Sequence, residues 1–257
     1  MSARRRRRAA LVVVGLVASL TGCGGGDGAD GGDGGDGDLP APPEEARTNE
    51  VMDLSTSDAL ELAAEAMRDL DDVVYEGTLS VWLPDETIEG PGRMTILADD
   101  TCEMTLDAPD LGGLTMRVVE GHTFVKGNPR WWSAIGVPAS VVPELVGKWL
   151  AVPDEQSPIG EDCYHGSLGT AANMDTCFNG VESGEVDGTP ARIIQCGATG
   201  GGTHKMYISA VGDPVVLRRI GISSDQPFDV TLVDKDTGAS IRRPPEGDVI
   251  DPGNRTA

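Results

Sequence analysis

The sequence predicts an α+β fold in which an antiparallel sheet curls over one N-terminal helix, with short additional helices. Two patterns predict it. Leu60, Ala63, Met67 and Leu70 recur at helical spacing on one face, with Asp58 placed to cap the helix and Glu61 three residues on. The chain then changes period. Val73, Tyr75, Leu79, Val81 and Leu83 fall on one side of an alternating run, and Met94 and Ile96, then Cys102, Met104 and Leu106, then Leu114, Met116 and Val118 continue it.

The helix should stop before Asp71-Asp72, where two adjacent acids and the switch to period two break the pattern. Between the strands, Glu89-Gly90-Pro91-Gly92 and Glu120-Gly121 carry turn chemistry, and His122 to Lys126 reads as a further strand. A mixed stretch follows from Trp131 through Trp149 to Cys177, with short helices expected over 140–150 and 168–174. The strand rhythm resumes over 191–196, 205–210, 215–222 and 228–233. Short strands that meander after a single leading helix favour antiparallel pairing, because hairpin connections suffice.

Ahead of this domain the chain has two other compositions. Arg4 to Arg8 precede the apolar run Ala9 to Leu20, about twelve residues and too short to span a bilayer. A charged start, a short apolar core and small residues after it spell an export signal, which places the mature chain outside the reducing cytoplasm. Arg7-Arg8-Ala9-Ala10-Leu11 is a poor twin-arginine pattern, so general secretion is expected. The run ends in Leu20-Thr21-Gly22-Cys23, which resembles the bacterial lipobox. That resemblance implies removal of residues 1–22 and diacylglyceryl attachment at Cys23, a palmitate-class anchor holding the protein to the extracytoplasmic face of the cell membrane. Two acyl chains anchor durably where one does not.

Residues 23–50 read as a tether. From 24 to 38 there are only Gly, Asp and Ala29, and Pro40, Pro42 and Pro43 follow, so no apolar face offsets the entropy of ordering. Gly31-Gly32-Asp33-Gly34-Gly35-Asp36 fits part of a glycine-rich calcium repeat, but Asp38 stands where that repeat needs an apolar residue, and a single repeat cannot stack. Mutual repulsion of the aspartates, which stretches the tether, is the plainer consequence. Residues 51–257 are then expected as the folded domain.

Charge narrows the partners. The 257 residues carry 42 acidic and 20 basic side chains, a formal charge of −22, and losing the five leader arginines takes it to −27. Phosphate backbones require clustered Lys and Arg, so a nucleic-acid partner is excluded. Catalytic motifs are missing as well. His122, His165 and His204 form no HExxH pair, and there is no GxSxG elbow, phosphate loop or dinucleotide fingerprint. Asp71-Asp72 and Asp99-Asp100 read as solvated turn residues rather than paired catalytic acids. No enzyme activity, cofactor or metal is expected. Apart from Cys23 the cysteines are Cys102, Cys163, Cys177 and Cys196, an even number in an oxidising compartment, and no two lie at zinc-ligand spacing. Two disulfides are expected, with three connectivities open; Cys163 to Cys177 and Cys102 to Cys196 are the preferred pairs.

The order of helix, long strand pair, Gly147-Lys148-Trp149, Val186-Asp187-Gly188-Thr189-Pro190, Met206-Tyr207-Ile208, Gly212-Asp213-Pro214, Leu217-Arg218 and a closing Arg243-Pro244-Pro245 resembles the LolA-like lipoproteins, in particular the LppX/LprG-type lipoproteins of actinobacteria, over residues 51–252. The resemblance implies a half-barrel of antiparallel strands wrapped around helices, with an apolar cavity that accepts acyl chains. It therefore implies a lipid or glycolipid ligand. Leu60, Met67, Leu79, Val81, Met94, Ile96, Met104, Leu106, Met116 and Val118 are the cavity residues expected from the apolar faces. Methionine adapts to irregular contents, although the same four could be ordinary core filler. Trp131-Trp132 could dip into a headgroup region or pack into the sheet, and packing is the preferred reading. The competing function is an envelope interaction or sensor module that engages a protein partner through its acidic surface without a lipid.

Overall fold

The computed structural model describes residues 48–83, 86–152, 177–178, 180–197, 202–222 and 227–251. The chain divides into Met1–Pro40 and Ala41–Ala257, and all described residues belong to the second unit. The leader, Cys23, most of the tether, Cys163, His165 and the helix expected over 168–174 lie outside the described residues.

A short 3-10 turn, Glu50–Met52, leads into α1, Thr56–Arg68. The helix starts a few residues before the Asp58 cap expected from sequence. Ser55 is the N-cap, its hydroxyl accepting from the Asp58 amide, while its own O–H donates to Asp58 Oδ2 at 2.7 Å. The Ser55 hydroxyl thus satisfies one orphan amide at the helix start, that of Asp58, and is itself held by the Asp58 carboxylate. Ala59, Leu60, Ala63 and Met67 form the buried face.

Among the described residues twelve strands follow: β1 Asp72–Leu83, β2 Glu86–Leu97, β3 Cys102–Ala108, β4 Gly112–Val119, β5 His122–Gly127, β6 Trp149–Val152, β7 Glu182–Val186, β8 Thr189–Gly197, β9 Thr203–Ser209, β10 Val216–Ile222, β11 Phe228–Lys235 and β12 Val249–Ile250. They make one sheet in the order β12-β6-β5-β4-β3-β2-β1-β11-β10-β9-β8-β7, antiparallel throughout except for β12 beside β6. One meander, β1 to β6, runs outward from the centre, and the later one, β7 to β11, runs inward from the opposite edge and ends by pairing β11 with β1. α1 enters at the centre, directly before β1. Helices α2, Pro129–Ala134, and α3, Val142–Leu145, are inserted between β5 and β6. This is the unclosed antiparallel half-barrel over helices that the resemblance to LolA-like lipoproteins implies.

Several elements differ from the sequence expectation. Glu89 to Gly92 are not a turn but the middle of β2, paired with Ser80 to Gly77 of β1. The glycines act there by absence of bulk. Gly77 and Gly92 face each other, and a Cβ on Gly77 would stand 2.1 Å from the Asp229 carbonyl oxygen, while one on Gly92 would stand 2.5 Å from that of Thr105. The backbones approach too closely for any side chain, which is what lets the long hairpin coil tightly. Glu120-Gly121 is a turn as expected, both residues at positive φ, the geometry of a tight hairpin. The helix expected over 140–150 is cut short: only Val142–Leu145 is helical, and Gly147 at positive φ ends it before β6.

Asp72 also departs from its reading as a solvated turn residue. It is 1 % exposed, and its carboxylate accepts from Thr237 Oγ1 at 2.8 Å and from the amides of Thr237 and Ala239. It holds the C-terminal segment across the outer face. There Ile241 and Val249 pack on Phe124 and Trp149, Lys148 pairs with Asp248 at 2.9 Å, and Arg243 of the Arg-Pro-Pro run lies over Phe124. The rest of the outer face carries cross-strand ion pairs, Glu76 with Arg93 and Glu103 with Arg117.

The disulfide expectation is corrected. Cys177 is bonded to Cys196, which excludes both Cys163–Cys177 and Cys102–Cys196. Cys177 bridges to the end of β8 as an isolated antiparallel pair, so the bond follows a strand-like alignment rather than the shortest loop. Cys102 is disulfide-bonded too, to a partner outside the described residues.

Candidate functional site

The inner face of the sheet is built in cross-strand rows, since residues paired directly opposite point the same way. The central row runs from Tyr75 to Met94, Met104, Met116 and Val125, one residue from each of β1 to β5. Three methionines therefore stand shoulder to shoulder on three adjacent strands. The flanking rows place Ile96 beside Cys102 and Val118 on one side, and Gly92 beside Leu106, Leu114 and Gly127 on the other. Leu60 and Met67 come to the same apolar cluster from α1.

All ten residues expected from sequence meet in this one cluster. Leu60, Met67, Leu79, Val81, Met94, Ile96, Met104, Leu106 and Met116 are each at most 5 % exposed, and Val118 is half-buried against them. The face is covered, not open to solvent. Thioethers with three rotatable bonds let such a covered face repack at low cost.

Two groups of helix residues supply the cover. Met67 of α1 accepts a hydrogen bond at its sulfur from the Val216 amide at 3.4 Å. On the other side α2 is fixed by Asn128, whose carboxamide oxygen caps it at the Trp131 amide, 2.8 Å. Trp131 and Trp132 are both 2 % exposed, so they pack under the sheet as preferred and do not project outward. Gly127 makes room for them, since a Cβ there would stand 2.5 Å from Trp131 Cδ1. Trp132 Nε1 is buried and, among the described residues, has no hydrogen-bond acceptor. An unmet donor in an apolar interior costs about 1–3 kcal/mol.

Three polar side chains lie on this inner face, and sequence reasoning missed two of them. Tyr75 is fully buried in the methionine row and donates to the Val216 carbonyl at 2.8 Å. Arg192 of β8 is 1 % exposed and donates through Nη1 to the carbonyls of Val51 and Leu54, each at 2.7 Å, tying the turn before α1 to the sheet. Arg219 of β10 is 9 % exposed. Tyr75 fitted the alternation and was legible as inward. The arginines were not, because a charged residue within a strand reads as outward.

His122 is exposed at the start of β5, and His204 lies edge-on to Phe228 in β9. Among the described residues no three of His, Cys, Asp and Glu gather as a metal site. No described helix is long and apolar enough to cross a membrane.

No family model matches the chain, and no curated protein does. Among solved structures it is similar to LprF from Mycobacterium bovis, at 12 % identity and a TM-score of 0.46 over 73 % of this chain and 96 % of that one. It is also similar to the lipoprotein LppX of Mycobacterium tuberculosis, at 11 % identity and a TM-score of 0.43, covering 72 % and 97 %. A LolA superfamily protein from Nitrosomonas europaea is similar at 10 % identity and a TM-score of 0.30, covering 76 % and 96 %.

Proposed function

We propose that the chain is a lipoprotein, anchored through Cys23 on the extracytoplasmic face of the cell membrane, that takes a lipid or glycolipid acyl chain into its apolar interior. The observation that carries this reading is the unbroken methionine row Met94, Met104 and Met116 on the inner face of an unclosed sheet. A core that needs only stability favours branched side chains with defined rotamers. Three adjacent methionines supply a face that conforms to a flexible guest.

Energetics favour exchange over catalysis. Burying a sixteen-carbon chain is worth up to about 12 kcal/mol at roughly 0.8 kcal/mol per methylene, and a bilayer offers nearly the same. Transfer between the two is close to balanced, so neither a nucleotide nor a reacting group is needed. The tether over residues 23–50 keeps the domain within reach of the membrane that supplies the guest.

Native purification, organic extraction and mass spectrometry test the reading. A stoichiometric acyl-bearing lipid is expected. A domain that is empty after purification and takes up no lipid from vesicles overturns it, and capture of one protein partner by that empty domain identifies an interaction module instead. The anchor is tested separately: C23A is expected to move the protein from the detergent phase to the aqueous phase on phase partitioning.

A further inference from the structure

Two arginines occupy the inner face, and they are not used alike. Arg192 spends its Nη1 hydrogens on two backbone carbonyls and reaches Thr56 Oγ1 at 3.4 Å through Nη2. Arg219 sits between Met206 and Val230 in its cross-strand row, both buried apolar residues. Among the described residues its guanidinium makes no hydrogen bond and no ion pair. The nearest acid of β11 is already engaged, since Asp229 takes a two-pronged pair from Arg218 on the other face, at 2.8 and 2.6 Å.

Arg219 thus presents a guanidinium on an apolar face with no partner anion among the described residues, an arrangement that favours an anion brought by a ligand. Phe228 offers partial relief, with the Arg219 Cζ 5.4 Å from its ring centroid. A ring face offers the cation its π electrons but no oxygen acceptor, so the N–H fork remains without a carboxylate or carbonyl partner among the described residues. That fork matches the two oxygens of a carboxylate or phosphate.

Resting on the guest-binding reading above, we infer that Arg219 receives the anionic head of the guest, a carboxylate or phosphate oxyanion, with the acyl tail running from there along the methionine row. The spacing fits. Arg219 on β10 is three strand intervals from Met94 on β2 and five from Met116 on β4, about 14 and 24 Å at roughly 4.8 Å per interval, so a tail of one leaflet's hydrocarbon depth, about 15 Å, reaches from the head to the start of the row.

The full chain, stripped of lipid, is titrated with palmitate, palmitoyl lysophosphatidate and methyl palmitate, following intrinsic tryptophan fluorescence. The two anionic probes are expected to bind at least about tenfold more tightly than the neutral ester, a difference of about 1.4 kcal/mol. R219M is expected to abolish that preference and leave the Kd for methyl palmitate within about twofold. Whichever anion binds more tightly identifies a fatty acid or a phospholipid as the source of the head. Equal binding of charged and neutral probes by the unaltered chain overturns the inference while leaving the guest reading intact, and so does a preference that survives R219M. Binding of none of the three overturns the guest reading itself. R219Q repeats the comparison if R219M does not fold: loss of the preference supports the assignment, and its retention overturns it.

Discussion

Tyr75 donates its hydroxyl hydrogen to the Val216 carbonyl at 2.8 Å, across 141 residues of sequence and entirely inside the core. The register of β9 and β10 slips just after Val216, which takes that residue's backbone out of the regular ladder, and Met67 accepts from its amide. Two side chains therefore satisfy the backbone of one irregular residue and join α1, β1 and β10. Tyr75→Phe is expected to cost about 1–3 kcal/mol, because a buried carbonyl loses its donor; denaturant unfolding measures it. Burial raises the Tyr75 pKa, with Arg219 pulling the other way. The folded value lies above the unfolded one, so this contribution is complete below pH 10 and is lost as pH rises through the folded value. Y75F should therefore weaken the alkaline dependence of stability.

The methionine row separates packing from plasticity. Substituting Met94, Met104 and Met116 by Leu conserves volume and should cost under about 1.5 kcal/mol per site. It should nonetheless reduce the lipid recovered by extraction, since branched side chains repack less freely. Recovery equal to that of the unaltered chain, at equal stability, would assign the row to ordinary core packing.

Asp72 is a latch with a definite acid response. Burial pushes its pKa up, but hydrogen bonds from Thr237, Ala239 and Gly238 outweigh this and leave it below the ordinary carboxylate value. A depressed folded pKa means that its stabilisation is present at neutral pH and lost as pH falls through that value. Amide exchange over 236–251 should accelerate in acid before exchange in β1 to β4 does. In D72N the segment should exchange fast at neutral pH too.

Non-reducing peptide mapping should recover Cys177 joined to Cys196. The bond closes a separation of 19 residues, for which loop-closure entropy gives about 3 kcal/mol. The double serine variant should lose about that much stability and expose the β7–β8 hairpin to protease.

Helix α1, most of the strands and the ten inward residues were legible before any coordinates, because periods of 3.6 and 2 report which face is apolar without reference to the rest of the chain. Glu120-Gly121 was legible for a similar reason: positive φ at both positions is a local demand. Gly90-Pro91-Gly92 misled for want of context. The same residues that make turns also permit close backbone approach, and only the position of β3 and β11 against the hairpin decides between the two.

By itself, the order of residues determined an arginine-rich start and apolar run closing on Leu20-Thr21-Gly22-Cys23, a Gly/Asp stretch without an apolar face, and a helix followed by meandering strands with one apolar face. These are properties of short windows, where each residue's neighbours in sequence are its neighbours in space. The tertiary structure alone decided that three methionines from three strands align, that Cys177 bonds Cys196, that Asp72 holds the chain's C-terminal segment, and that Arg219 lies inward among apolar side chains. Each of those depends on register and on burial between segments far apart in sequence, and a one-residue change of register would send every side chain of a strand to the opposite face.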